Sequence, residues 1–301
     1  MIPNTDPDPY CANVLADSIA SGVRLTTLVI KFPRFVLAEF NTHRTMSRSS
    51  ASSRAIPVEK RIAEVRANPF VPLSFGKNKR GMQSTEEIED QEKARVAWRQ
   101  AAIHACFHAE NVAAMGVHKQ FANRLIEPFA FHTVICSATE WANYFALRCS
   151  EFAQPEIRIV SEAMRDAMDA STPVELAPGE WHLPLIDDGD RAEVADPVLL
   201  ARVSAARCAR VSYLTHGGER SIEADLELYD RLVGPGHMAP LEMAAMVGEP
   251  FDQEGYARMH KCSTGNETVG FSGPFIGNFR APWIQLRKTI PGEAVHVKDP
   301  A

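Results

Sequence analysis

The sequence predicts an α+β protein, and three observations support that class. Leu25-Thr-Thr-Leu-Val-Ile30 is a short apolar run typical of a buried strand. A capping signal at Ser84-Thr85, completed by Glu87, opens a helical pattern that ends near Met115. With 301 residues and 45% hydrophobic content, the chain is long enough to bury one large core or two smaller ones.

The composition argues against several classes of function. A formal net charge of -6 disfavours a general nucleic-acid binder, whose surface is usually basic over the whole domain. The six cysteines lack CxxC spacing, which fits reduced thiols better than a disulfide framework or a zinc site. The acidic, proline-rich N-terminus differs from a secretory signal, and no stretch approaches the roughly 20 apolar residues of a membrane span. These features predict a cytoplasmic protein that binds neither nucleic acid nor membranes.

The stretch Asn41–Arg54 concentrates cations and hydroxyls between two apolar elements. Before it, Arg34–Phe40 is predicted as a short helix with a packed side formed by Phe35, Val36, Leu37 and Phe40. Arginines at 44, 48 and 54, with His43 and five serines, supply donors suited to a phosphate. The same composition fits a solvated Ser/Arg linker, and the residues alone leave both interpretations open.

Two helices are predicted next, on either side of a polar insertion. Pro57–Arg66 is the first, with proline at its first position. The insertion, Phe75–Gln83, is either a loop that folds over a bound phosphate or a plain surface turn. The residues predicted to pack in the long helix are Val96, Ile103 and Val112. His104 and His108 lie four apart there, but without an acidic third ligand they are interpreted as core or surface histidines.

The segment Ala138–Arg148 is predicted as a helix with a second polar face. The elements before it are predicted as a helix at Val117–Ile126, with Arg124 near its end, and a strand at Thr133–Cys136. Asn143 and Leu147 share a face of the Ala138–Arg148 helix, with Arg148 one position on. The two polar residues, Asn143 and Arg148, either form one wall of a binding site or lie at a solvated helix end.

The C-terminal half is predicted to be helical up to an extended tail. Helices are predicted at Gln154–Met164, Asp196–Ser212 and Ile222–Leu232, with a loop crossing between the first two. Asp187–Asp190 lacks the remaining ligands of a calcium loop and is interpreted as a hinge turn between two halves. The turn His237–Glu242 is predicted to present His237 to a ligand, and Gly277–Lys288 is predicted as extended chain leading into a short amphipathic segment.

Three separated segments resemble the flavin-dependent thymidylate synthases. Thr42–Arg54 is similar to that family's signature, an Arg-His-Arg triplet followed by Ser and Arg. Ala138–Arg148 resembles its second site helix, where an asparagine binds flavin and an arginine holds the pyrimidine. Ala209–Tyr213 and Gly236–Glu242 resemble its Ala-Arg-Val-Ser and Gly-His-Glu-Thr-Pro-Phe-Glu-His segments.

The resemblance implies the family's fold and organisation. A central antiparallel sheet is flanked by long helices in a single domain spanning 1–301. Residues 1–186 are expected to form the signature and nucleotide half, and 187–301 the flavin-contacting half. Because the family's flavin-contacting segments normally precede the signature, their C-terminal position here indicates a permuted or extended branch. The resemblance further implies a homotetramer in which each flavin site is shared between subunits.

The resemblance also implies the reaction, which is C5-methylation of a uracil nucleotide, dUMP or UMP or both. Methylenetetrahydrofolate is the implied one-carbon donor, FAD the cofactor and NADPH the source of electrons. No cysteine lies in a recognisable setting for the thiolate that would otherwise add to C6 of the ring. Arg148 is the implied catalytic residue, because it would hold the pyrimidine carbonyls and stabilise negative charge as C5 attacks.

The remaining site residues are implied position by position. Substrate contacts are implied for Glu39, Thr42, Ser50, Ala51, Ser52, Ser53, Arg54, Arg124 and Arg148. Flavin contacts are implied for Thr42, His43, Arg44, Ser50, Ser137, Thr139, Asn143, Ser212, His237 and Ala239. No metal ligand is implied.

Departures from the family pattern leave the exact substrate open. Thr42 replaces an arginine, Ser50 a glutamate, Ala239 a flavin-contacting threonine and Met243 a histidine. Because Thr42 leaves room for a ribose 2'-hydroxyl, one alternative is a UMP-selective methylase or a hydroxymethylase of a nucleoside-antibiotic (polyoxin-type) or phage-type pathway. The other alternative is a nucleotide or RNA binder without flavin, against which the retained flavin-contacting residues argue.

Overall fold

A β-hairpin forms the centre of the sheet. In the computed structural model, which describes residues 8–81, 84, 86–212, 221–249 and 275–290, β1 (Cys11–Ala20) pairs antiparallel with β2 (Val23–Pro33). Ser21 and Gly22 join the strands with φ angles of +48° and +75°, the left-handed values of a two-residue hairpin turn. The predicted strand at Leu25–Ile30 is therefore confirmed. Predictions that fall on Gln83, Thr85, Tyr213 and Cys262 lie outside the described residues.

The hairpin extends on both sides into a five-stranded sheet of order β3-β4-β2-β1-β5. The added strands are β3 (Ser47–Ser50), β4 (Phe131–Ala138) and β5 (Val174–Glu175). Every neighbouring pair in this sheet is antiparallel except β1 with β5. The α+β class with a central antiparallel sheet is confirmed.

The prediction that Asn41–Arg54 is a loop or linker is wrong in part, because this stretch contains strand β3 (Ser47–Ser50). Ser47 and Ser49 are buried, whereas Arg48 and Ser50 are half-buried on the opposite face. Pairing with β4 supplies the backbone partners of this strand. Its serines lack the apolar alternation by which strands are recognised in a sequence.

The helices and the remaining strands follow in chain order. The helices are α1 (Leu37–Asn41), α2 (Val58–Ala67), α3 (Gln91–Ala114), α4 (Lys119–Ala122), α5 (Ala142–Arg148), α6 (Pro155–Asp169), α7 (Asp188–Glu193), α8 (Pro197–Ala209) and α9 (Ile222–Val233). The strands are β6 (Trp181–His182), β7 (Ala245–Val247), β8 (Phe275–Ile276), β9 (Phe279–Arg280) and β10 (Trp283–Gln285). Short 3-10 helices span Arg34–Val36, Asn123–Leu125, Glu127–Phe129, Arg210–Ser212, Ala239–Glu242 and Leu286–Thr289.

The two faces of the central sheet are covered by different parts of the chain. On one face, Ile30 and Phe32 pack with Tyr144 of α5 and Met164 of α6. The other face carries the C-terminal half, where a core cluster joins Val29, Ile135, Cys208, Val211 and Met243. A second sheet of order β10-β7-β6, which was not predicted, joins β6 to β7 and β10 of that half. The central sheet thereby brings β3, the strand within the signature, close to the C-terminal segments of the chain.

Most predicted helices are confirmed with small shifts, but the start of α3 is not. The helix begins at Gln91, where Asp90 caps it by accepting a hydrogen bond from a backbone N–H, rather than at Ser84. The residues around Ser84 instead run beside the insertion, and Gly76 forms a bridge with Glu87. Pairing with the neighbouring insertion therefore overrode the local capping signal.

The predicted packed face of α3 is confirmed for Val112, which packs against Cys106 and Ala109 and their cluster, but is wrong for Val96 and Ile103. Val96 and Ile103 are 43% and 59% exposed, and Phe35 in the preceding segment is exposed as well. The buried face of α3 consists of small residues, Ala102, Cys106 and Ala109. Val96 and Ile103 therefore face outward, whereas Trp98 packs against Phe70 and donates to its carbonyl at 2.8 Å.

Two further boundaries differ from prediction. α5 begins at Ala142 because Ala138 still belongs to β4. The predicted hinge turn at Asp187–Asp190 is instead the start of α7, where these two aspartates form a reciprocal capping box. Asp190 also accepts from the buried Arg207 of α8 at 2.5 Å, so this segment is anchored rather than a free hinge.

Two predictions from composition have counterparts in the described residues. Cys11, Cys106, Cys136, Cys149 and Cys208, the cysteines of the described ranges, form no disulfide. Among the helices of the described ranges, none has the length and apolar content that crossing a bilayer requires.

Candidate active site

A cleft of about 810 Å³ lies where β3 meets the turn before Ala239–Glu242. Its polar lining residues are Arg48, Ser50, Ser52, Arg54, His237 and Arg287. The backbone of residues 236–240 forms the opposite wall. Two segments that are far apart in sequence, the signature and the His237 turn, are thus brought together.

The cleft is positively charged, and none of the described residues that line it is a carboxylate. Arg48 is fixed there, since its Nη1 donates to the carbonyl of His43 at 2.7 Å and its guanidinium lies 5.9 Å from the ring centroid of Phe40. Burial lowers the pKa of Arg48, but an arginine side chain remains charged at neutral pH. The lining therefore favours an anion.

The turn that carries His237 is shaped by glycine. Gly236 has a φ of +78°, a value that residues with a Cβ rarely adopt. The N–H of His237 donates to the carbonyl of Leu232 at 2.8 Å, which closes the end of α9. His237 is exposed and lines the cleft, and its presentation to a ligand stays a prediction.

A second polar cluster lies at the corner between α1 and α5. Arg148 Nε donates to His43 Nε2 at 2.9 Å, and Arg148 Nη2 donates to Thr42 Oγ1 and to the carbonyl of Glu39, each at 3.2 Å. Thr42 Oγ1 in turn donates to the Glu39 carbonyl at 2.7 Å. Four residues proposed for the site from the sequence therefore meet here. Asn143 lies on the exposed side of the same helix α5.

The protonation of His43 follows from its surroundings. Because Nε2 accepts from a guanidinium, it carries no proton. Partial burial, followed by the charges of Arg148 and Arg48, lowers the pKa of His43 below its ordinary value. A neutral imidazole is the form that this corner holds at neutral pH.

One atom in this corner has no hydrogen-bond partner. Glu39 Oε2 is buried and unpaired within the described part of the chain. Buried carboxylate oxygens normally find donors, so an orphaned one beside Arg148 marks a place where a ligand N–H or O–H fits.

Hydrogen bonds from Asn123 and to Glu127 stabilise the loop that carries Ser52, Ser53 and Arg54. Asn123 Nδ2 donates to the carbonyls of Ser53 and Ile56 at 2.8 and 2.9 Å, and Ser53 Oγ donates to Glu127. The backbone N–H of Arg54 donates to Ser52 Oγ at 3.3 Å. These bonds fix the loop while Arg54 remains exposed.

Other residues proposed from the sequence lie outside the cleft and the corner. Arg44 is exposed, and Arg124 is mostly exposed with its Nη1 3.9 Å from Glu127. Ser137 is buried against Thr27 at 2.6 Å. Thr139 Oγ1 accepts from the backbone N–H of Arg280, Ala51 is buried beside a separate cavity of about 260 Å³, and Ala239 lines the cleft. Ser212 is the last residue of the 3-10 helix Arg210–Ser212.

Sequence reasoning missed the contribution of the C-terminal tail. Arg287 lines the cleft, and Gln285 donates to Ser47 Oγ at 2.8 Å. These residues belong to the segment that was predicted as extended chain leading into a short amphipathic segment. No local pattern marks them, because their partners, Ser47 and Glu242, are 238 and 45 residues away in the sequence.

Residues 10–174 match the protein family described as "Thymidylate synthase complementing protein" (Thy1). The fold, the site and this match define an enzyme of the methyltransferase class. Since the match covers more than half of the 301 residues, the chain belongs to this family, the flavin-dependent thymidylate synthases.

Two solved structures are similar to the chain at low identity. The crystal structure of a UMP/dUMP methylase, PolB, from Streptomyces cacaoi bound with 5-Br UMP has 17% identity and a TM-score of 0.43, covering 52% of this chain and 87% of that one. The same enzyme bound with 5-Br dUMP has 18% identity and a TM-score of 0.40, covering 48% and 66%. Similarity at this level does not establish the substrate of this chain. No curated protein matches it.

Proposed function

We propose that this protein methylates C5 of a uracil nucleotide, dUMP or UMP or both. Methylenetetrahydrofolate is the proposed one-carbon donor, FAD the cofactor and NADPH the source of electrons. The observation that carries the proposal is the meeting of the family's signature with the His237 turn in one cationic cleft, next to the corner formed by Arg148. Cytoplasmic location is part of the same proposal.

The chemistry of the cleft fits these ligands. A nucleotide phosphate suits the Ser52 hydroxyl and the Arg54 guanidinium, which are usual phosphate donors, and Ser53, whose hydroxyl donates to Glu127, is proposed to contribute its backbone N–H. His43, Asn143 and His237 are the residues proposed to hold the flavin, which supplies hydride and one-carbon transfer chemistry when bound. The orphaned Glu39 Oε2 offers an acceptor for a donor group of the nucleotide.

A cysteine nucleophile is disfavoured by the environment of the thiols. Burial raises the pKa of Cys136 to about 12 and raises that of Cys106 and Cys208 as well. Cys149, which is less buried, also has a raised pKa from the same cause. A thiolate is the reactive form, so these four thiols are poor candidates for addition to C6 of the ring.

Arg148 is proposed as the catalytic residue. Its hydrogen bonds to His43, Thr42 and the Glu39 carbonyl hold the guanidinium in a fixed orientation before substrate arrives. A fixed cation beside the pyrimidine carbonyls stabilises the negative charge that builds up as C5 attacks. His43, kept neutral, orients Arg148 without competing for that charge.

Assembly into a homotetramer is also proposed, and an exposed apolar face of helix α3 supports this proposal. Val96, Ile103 and Phe107 lie seven and four residues apart on α3, so they share one face. Ile103 and Phe107 are 59% and 54% exposed. We define these three residues as the α3 stripe, and a second copy of the chain is its proposed partner. The division of one domain into halves at 186/187 remains a proposal as well.

Flavin binding is the experiment that tests the cofactor. Purified protein is expected to be yellow, or to quench FAD fluorescence in a titration. A colourless protein that leaves FAD fluorescence unchanged would contradict the proposal and favour a nucleotide binder without flavin. Products from UMP and dUMP, compared by mass, distinguish methylation from hydroxymethylation and reveal the preferred nucleotide.

A further inference from the structure

We infer that Arg287 is a phosphate-binding residue of the cleft, supplied by the C-terminal segment 277–290. This inference rests on the proposed function, since it concerns the same cleft. The segment lies outside the residues that match the family and carries none of the motifs by which the site was predicted.

The C-terminal segment is attached directly to the signature strand. Gln285, which is 1% exposed, donates from Nε2 to Ser47 Oγ at 2.8 Å and to the carbonyl of Glu242 at 2.9 Å. Asn278 Nδ2 donates to the same Ser47 Oγ at 3.0 Å. The N–H of Leu286 donates to the carbonyl of Ala244 at 2.9 Å. These bonds connect β3, the turn after His237 and the tail into one wall.

Arg287 follows Gln285 by two residues and is placed by that wall. Its side chain is 31% exposed and lines the cleft together with Arg48 and Arg54. Arg287 Nη1 donates to Glu242 Oε1 at 2.5 Å, which orients the guanidinium. A guanidinium presents five N–H donors in a planar fork, so one such group can donate to a carboxylate and to a phosphate at the same time.

The ligand chemistry is that of a phosphate oxygen. A phosphate or pyrophosphate carries the charge that three guanidiniums and the hydroxyls of Ser50 and Ser52 match. Two sources share this chemistry, namely the pyrophosphate of FAD and the phosphate of the nucleotide. A purely structural Arg287, which only pairs with Glu242, is the competing interpretation.

The experiment compares Arg287→Met with Arg287→Lys and with the control Lys288→Met, an exposed neighbour that does not line the cleft. The probes are FAD, riboflavin, dUMP, UMP and inorganic pyrophosphate. Arg287→Met is expected to weaken the binding of pyrophosphate about tenfold, as for the loss of one charge-assisted hydrogen bond. The affinity for riboflavin, which has no phosphate, is expected to stay unchanged. If FAD binds more weakly to the variant, the phosphate held by Arg287 belongs to the flavin. If dUMP and UMP bind more weakly, that phosphate belongs to the nucleotide. Arg287→Lys should lie between wild type and Arg287→Met.

A further variant, Glu242→Gln, separates binding from structure. It removes a negative charge beside the cleft and leaves the guanidinium in place, so pyrophosphate affinity is expected to rise. A purely structural pair predicts that Glu242→Gln and Arg287→Met weaken binding together, and that result would overturn the inference even if Arg287→Met folds poorly. Pyrophosphate affinity within twofold of wild type in Arg287→Met, or no pyrophosphate binding by the wild type, would overturn it too. Wild type that binds pyrophosphate through Arg287 but neither FAD nor nucleotides would instead refute the proposed function alone.

Discussion

Replacing Arg148 by methionine separates its structural role from its chemical one. The substitution keeps the length of the side chain but removes the guanidinium that donates to His43, Thr42 and the Glu39 carbonyl. Flavin binding is expected to persist, because the proposed flavin contacts His43, Asn143 and His237 all keep their side chains.

The magnitude follows from these contacts. Three hydrogen bonds at about 1 kcal/mol each give a loss of unfolding free energy of at most about 3 kcal/mol. Removing a preorganised charge-stabilising donor costs about 10²- to 10³-fold in turnover, equivalent to roughly 3–4 kcal/mol. The pKa of His43 should rise in the variant, since the charge of Arg148 contributes to lowering it.

The assay measures turnover of dUMP and UMP, FAD affinity, unfolding in urea and the pKa of His43 by NMR. Arg165→Met is the matched control, because Arg165 is exposed on α6 and pairs with the adjacent Asp166; its activity should equal wild type. Turnover of Arg148→Met within threefold of wild type, in a protein with FAD bound, would refute the role given to Arg148.

Two further predictions concern assembly and pH. Glutamate at Ile103 and Phe107 of the α3 stripe should prevent association seen by light scattering, whereas Val198→Glu on α8, also at an exposed apolar position, should not; unchanged assembly in the stripe variant would exclude this face. Burial lowers the pKa of His132 and His182 to about 3, so their unfolded forms take up protons first and stability is lost as pH falls from about 6.5 towards 3. Each histidine should cost about 2 kcal/mol of unfolding free energy at pH 5 relative to pH 8, and equal urea midpoints at both pH values would contradict this.

Local patterns predicted the elements whose signals are local. The strand at Leu25–Ile30 and the helix at Gln154–Met164 have apolar periodicity and clear end signals, and both are present. β1 was missed because polar residues interrupt its apolar run; Asp17, for example, is satisfied across the hairpin by Arg24 at 2.6 Å and by Thr26 Oγ1 at 2.9 Å. The capping signal at Ser84 failed because Glu87 pairs with Gly76 of the neighbouring insertion instead of starting a helix.

The same distinction applies to the site. Thr42, His43 and Arg148 were predicted together through a motif resemblance, and they are hydrogen-bonded neighbours. Arg287 and Gln285 reach the site only through long-range pairing of the tail with β7 and β3, and no spacing in the sequence encodes such a contact. The outward face of α3 was misassigned because apolar periodicity does not say whether a helix packs within its own chain or against another copy.

The most direct test of the central claim is the mass of the nucleotide product. Purified protein is incubated with dUMP or UMP, methylenetetrahydrofolate, FAD and NADPH, and each nucleotide is analysed by mass spectrometry. The proposed function predicts a product heavier by one methylene unit, formed only when FAD and methylenetetrahydrofolate are both present. Unchanged dUMP and UMP from a folded protein with bound flavin would contradict C5-methylation as its activity.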